Sequence, residues 1–108
     1  MAKAINEYQA SSGFSGTTTT SSLQLLAARS GNLIRTQLII TNTHGTAVLT
    51  LFKGESGAVA GAGILLQPLQ TYIEASDGGY NCWQGALQGV SNINGSYAGM
   101  ESFEELSK

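Results

Sequence analysis

Short runs of alternating apolar and polar residues recur about every ten positions from Leu23 onward, each cut off by glycine, asparagine or serine. This pattern constrains the fold more than any other feature of the chain. A period of two places successive side chains on opposite faces of an extended strand, whereas a helix needs a period of 3.6. Residues 33–42 are the clearest run, with Ile34, Leu38 and Ile40 on one face and Arg35, Gln37, Ile39 and Thr41 on the other. In 47–53, Val48, Thr50 and Phe52 alternate with Ala47, Leu49 and Leu51. Further strands are expected over 23–28, 64–66, 70–75, 82–90 and 96–103. Turns are expected at 30–32, 42–46, 76–79 and 91–95.

No amphipathic stretch of helix length interrupts these runs. The reading is therefore all-β: a single antiparallel β-sandwich over residues 23–103. The Gly45-containing connection predicts a hairpin between 33–42 and 47–53, and Asn94-Gly95 marks another. Residues 1–22 read differently. Serine, glycine and threonine dominate them, with little to bury, so they are expected to form an extended polar N-terminal arm that orders on a partner. Ile5, Tyr8 and Phe14 are its expected anchors, with Thr17 and Thr18 beside them as partner contacts. Residues 104–108 are a C-terminal tail.

Charge is the second constraint. Between Arg35 and Glu101 lie only Lys53, Glu55, Glu74 and Asp77, and the whole chain is 11% charged, against about 25% in ordinary soluble domains. Charge keeps a surface hydrated and identical copies apart. A β domain so sparsely charged is expected to spend its time covered by other protein. Lys53 and Glu55 flank one strand end, Glu74 and Asp77 another, so the charges are expected at the ends of the sandwich with neutral flanks between. A neutral flank can lie against a partner without stranding a charge.

Several functions are disfavoured on the same grounds. The net charge is −2, with no Lys/Arg cluster to neutralise phosphates, so no nucleic-acid partner is expected. The apolar run over 57–66 is far too short to span a bilayer, and no basic amphipathic helix is visible, so no membrane partner is expected. Lys3 is not followed by an apolar stretch, so the product is expected to stay in the cytoplasm that makes it, or to leave by a route other than secretion.

Chemistry is equally sparse. Cys82, the single cysteine, cannot form an internal disulfide and reads as a small buried apolar residue. His44 reads as a polar turn residue, and its spacing from Cys82 does not suggest a nucleophile pair. Glu74 and Asp77 read as solvated carboxylates. No residues have metal-ligand spacing, and Gly57, Gly61 and Gly63 do not match a phosphate loop. Asn94-Gly95-Ser96 reads as a turn, and Trp83 as core filling between the sheets. No catalytic residue, metal or cofactor is expected.

The central stretch carries a resemblance. Arg35-x-x-Leu38-x-Ile40-x-Asn42 leads to an apolar run ending at Gly54, then to Gly63-Ile64-Leu65-Leu66-x-Pro68. Trp83-x-Gly85-Ala86-Leu87 and a final strand closing on Glu101 complete it. Over residues 30–101 this resembles the small β-sandwich virion proteins of tailed bacteriophages, in particular capsid decoration (cement) proteins. The resemblance implies a jelly-roll-like sandwich on the outer capsid, bridging neighbouring capsomers. It implies the major capsid protein, copies of the chain itself, or both, as partners, and a place on the virion after synthesis in the bacterial host. Such a family brings no catalytic residues. The alternatives are a tail, fibre or head-completion component, or a carbohydrate-binding module using Trp83 and the tyrosines.

Overall fold

The structure, a computed structural model, describes residues 6–29, 33–76 and 81–106. They form eight strands: β1 (Asn6–Thr18), β2 (Leu23–Leu26), β3 (Leu33–Asn42), β4 (Leu49–Lys53), β5 (Ile64–Leu66), β6 (Thr71–Ala75), β7 (Leu87–Ser91) and β8 (Gly95–Leu106). Two four-stranded antiparallel sheets pack face to face, one in the order β1-β8-β3-β6 and the other β2-β7-β4-β5. The all-β sandwich expected from the period of two is what the chain forms.

The pairing is nested. First pairs with last, second with seventh, third with sixth and fourth with fifth. Only β4 and β5 are both consecutive and paired, so the two hairpins expected from the sequence do not exist. β3 lies in one sheet and β4 in the other, and β7 and β8 are likewise divided. The β3–β4 corner is held by two side chains. Asn42 Nδ2 donates to the carbonyls of Ala47 (2.7 Å) and Leu66 (3.0 Å). His44 Nδ1 accepts from the amides of Thr46 (3.1 Å) and Ala47 (2.9 Å). These bonds satisfy backbone that would otherwise be orphaned where the chain leaves one sheet for the other.

The expected N-terminal arm is the largest correction. Residues 6–18 are β1, a 13-residue strand paired with β8 from Asn6↔Leu106 to Thr18↔Gly95. Its Ser/Gly/Thr composition gives little apolar surface, but its backbone pairs along the whole of β8. Two aromatic–glycine pairs fix the register. Phe14 faces Gly99 and Gly16 faces Tyr97, with the rings 6.3 Å apart at 55°. Ile5 lies outside the described residues.

Leu38, Ile40, Leu49, Leu51, Leu66, Cys82, Leu87 and Tyr97 form the core, with Phe14, Leu25, Ile64 and Tyr72 packed against it. The molecule measures 53 × 24 × 23 Å, because β1, β8 and β3, at 13, 12 and 10 residues, are at least twice as long as any strand of the second sheet. Its radius of gyration is 14.8 Å, against roughly 13 Å for a rounder domain of this length.

Candidate docking face

The outward side of the first sheet carries three rows of side chains, of which Ser102 is itself buried. Ser11, Ser102, Gln37 and Ala75 form one; Gly13, Met100, Ile39 and Ile73 the next; Ser15, Ala98, Thr41 and Thr71 the third. Not one is charged. Ile73 is 62% exposed, and Met100 and Ile39 are half-buried, so an apolar row crosses the middle of a hydroxyl-rich face. The hydroxyls pair across strands, Ser11 with Ser102 at 3.2 Å and Thr41 with Thr71 at 2.8 Å. Beyond the rows, Thr43 Oγ1 donates to Ser96 Oγ at 2.8 Å. The four hydroxyls of Ser11, Ser102, Thr41 and Thr71 already have partners, which lowers the desolvation cost of covering them.

The second sheet is different, because its outer face is covered by the chain itself. The 54–63 loop runs back across it. Gly61 N donates to Thr50 Oγ1 (3.1 Å), Gln88 Nε2 to the Gly54 carbonyl (3.0 Å) and Ala58 N to Ser22 Oγ (2.8 Å). Thr50, Gln88 and Val90, on the outward side of their strands, are consequently buried, and β7 is buried at every position. Small residues let the loop lie this close, and Gly61 and Gly63 take φ of 85° and 141°, which other residues rarely adopt. The glycine-rich segment is thus a cover for one sheet. The other sheet has none among the described residues.

The three rows carry no charge, the next row of the same face holding Glu104, because most of the described charge is consumed inside. Arg35 was expected on the outward side of its strand. A bulge between Arg35 and Gln37 turns it inward instead, and it is fully buried. Its Nε donates to Glu101 Oε1 at 2.7 Å, and its Nη atoms donate to the carbonyls of Trp83 (2.6 Å) and Ala27 (3.3 Å). Arg29 reaches the same carboxylate and lies 4.9 Å from the centre of the Phe103 ring. Glu101 on β8 is therefore tied to the connections flanking β2 and β7, and the two sheets are clamped together by ions.

A second cluster stands across Leu38 from the first, since Leu38 is registered with both Glu101 and Glu74. Glu74, buried, accepts from Lys53, from the Tyr72 hydroxyl and from the Trp83 amide. Burial pushes the Glu74 carboxyl up, but the hydrogen bonds from Lys53, Tyr72 and Trp83 outweigh it and hold it at about 2. Burial pulls the Lys53 ammonium down, yet Glu74 and Tyr72 together raise it well above its ordinary range. Among the described side chains, Arg29, Arg35, Lys53, Glu74 and Glu101 are spent on these two clusters, leaving Glu55 and Glu104 outside them.

The residues expected to contact a partner are dispersed by the fold. Phe14 packs inward on its own core. Thr18 is 1% exposed, and its hydroxyl bonds that of Ser91. Thr17 is exposed, on the outward side of β1. Tyr8 belongs to β1, opposite Glu104. The face built from Ile39, Ile73 and Met100 was missed by sequence reasoning. Its signal was present in the outward set of residues 33–42, where Gln37, Ile39 and Thr41 carry no charge.

The remaining candidates are structural. Trp83 sits at one end of the sandwich rather than at its centre; its Nε1 donates to the Ala86 carbonyl at 2.9 Å, and Lys53 lies over its ring. Cys82 is buried, and burial pushes its thiol up to about 11. It packs at the Glu74 level, about five strand residues, roughly 17 Å, from the His44 corner, so the two do not form a pair. Among the described residues no three His, Cys, Asp or Glu side chains gather where they could hold a metal.

No protein-family model, curated protein or solved structure matches this chain.

Proposed function

We propose that this chain is a non-enzymatic virion structural protein. In this reading it lays the bare face of its first sheet on the outer capsid and cements neighbouring capsomers. The observation that carries the reading is the contrast between its two outer faces: one covered by its own loop, the other bare among the described residues, with three uncharged rows, the middle one holding Met100, Ile39 and Ile73. A face without charge can be desolvated without stranding an ion, and hundreds of weak contacts on a lattice add up to firm attachment. The nested strand order supports a jelly-roll-like reading of the sandwich, an architecture common in viral capsid domains. That is support by architecture alone, since such folds also serve lectins and cupins. The partner is the major capsid protein, and the working location is the capsid surface.

The test is co-sedimentation of the purified chain with phage heads that lack it. Ile39→Lys and Ile73→Lys change outward side chains and should leave the circular dichroism spectrum intact while abolishing co-sedimentation. Undiminished binding by both variants would remove the face from the proposal. Absence of binding by the unaltered chain to any such head would remove the capsid.

A further inference from the structure

We infer that two copies of this chain join through their β1 edges, antiparallel about a two-fold axis at Phe14, so that their first sheets run together as one eight-stranded sheet. The argument starts from the edges. A terminal strand offers a row of unpaired backbone N–H and C=O groups, and proteins blunt such rows with short strands, charges, prolines or bulges. Three of the four edges here are blunted by length: β2 has four residues, β5 three and β6 five. β1 has 13. Over Ser12–Thr18 it has neither charge nor proline, and its one register shift lies outside that span, between Tyr8 and Ala10. Backbone this regular and this long calls for another strand.

The occupant is a second copy because the edge is complementary to itself. A two-fold normal to the sheet sets Phe14 against its own counterpart, Gly13 against Ser15 and Ser12 against Gly16. No pair brings like charges together, and apart from Phe14 no side chain is larger than threonine, so the backbones meet without obstruction. Phe14, which its own copy only half buries, then lies beside its twin. The same axis keeps both bare faces on one side. Three rows across four strands cover roughly 400 Å², short of the about 800 Å² per partner of a standard interface. Two copies joined at β1 supply that area in one surface. This last step rests on the docking reading above; the edge argument does not.

Sedimentation velocity on the unaltered chain, carried up to about 1 mM, reads the inference directly, and the expected species has twice the mass of the chain. Mixing Gly13→Cys with a size-tagged Ser15→Cys under mild oxidation should give a disulfide-linked pair of unequal chains. Ser56→Cys, in the loop over the other sheet, should give none with Ser15→Cys. Ser15→Lys/Thr17→Lys, at two exposed positions, should weaken the dimer by about tenfold or more with an unchanged circular dichroism spectrum. A single-chain mass at every concentration would overturn the inference. So would a dimer indifferent to the lysines and lacking the 13–15 cross-link. Head binding is not measured in any of these arms, so loss of the dimer and loss of the capsid reading are separate results.

Discussion

Phe14 stands directly opposite Gly99 and occupies the space that any side chain at 99 would need. A Cβ there would collide with the Phe14 ring and come within 2.5 Å of the Ile39 carbonyl. Gly99→Ala should therefore cost about 1–3 kcal/mol, although alanine is ordinarily the better strand residue. Urea unfolding checks this. Phe14→Ala combined with Gly99→Ala should cost less than the sum of the two single changes, because one clash is then removed.

Glu101 is the shared anion of Arg29 and Arg35. Glu101→Ala leaves Arg35 fully buried without its carboxylate and should cost about 3–5 kcal/mol by urea unfolding. Replacing both Arg35 and Glu101 with apolar residues should recover only part of the loss, because Arg35 also serves the carbonyls of Trp83 and Ala27.

Acid should loosen the second cluster. The Glu74 carboxyl sits at about 2 in the folded chain, against an ordinary value of 4.5. Its contribution is complete above pH 4.5 and drains away as pH falls toward 2. Lys53 works in the opposite sense: its raised value gives a contribution present below 10.5 and lost as pH rises above it. Thermal melts of Glu74→Gln should show a flatter acid limb than those of the unaltered chain between pH 4.5 and 2.

Cys82 should be silent toward thiol reagents while the chain is folded. It is 1% exposed, with its thiol pushed to about 11, and the thiolate is the reactive form. Reaction with an aromatic disulfide reagent at pH 8 should follow the unfolding curve. A fast native-state reaction would contradict the burial described above.

Leu69 takes a left-handed conformation, with φ of 68°, at the second central position of the Gln67–Gln70 turn, where the Gln70 amide donates to the Gln67 carbonyl at 3.0 Å. Glycine is favoured at that position after a proline. Leu69 is 69% exposed, so its side chain contributes little to packing. Leu69→Gly should raise stability by about 0.5–1 kcal/mol, relief of backbone strain exceeding the added entropy of the unfolded chain.

The sequence carried the strands that alternate and concealed those that do not. β3 and β4 follow the period of two because Leu38, Ile40, Leu49 and Leu51 point inward, whereas β5 is apolar throughout and β6 turns Glu74 inward and Ile73 outward. β1 was read as an arm because its inward positions include Ser12, Gly16 and Thr18, none of which looks like core. Its partner Tyr97, more than seventy residues away in the chain, is what makes Gly16 fit. The direction of Arg35 was hidden by a one-residue bulge, which reverses every assignment before it. The hairpins failed for a related reason. Local turn signals at Gly45 and Asn94-Gly95 were real, but pairing in this fold is set by distant strands, and those turns carry the chain between sheets. The candidate face was half legible: the lack of charge was plain, while the reason for it, five ionised side chains spent between the sheets, needed the structure.

The loop folded over the second sheet gives the molecule a front and a back. A copy resting on its smooth side turns toward solvent an irregular strap of glycines and alanines, on which another copy's flat sheet finds no matching plane. If the bare face docks as proposed, deposition on a larger body would stop after a single layer, and ten residues on the opposite side would set the thickness of the coat.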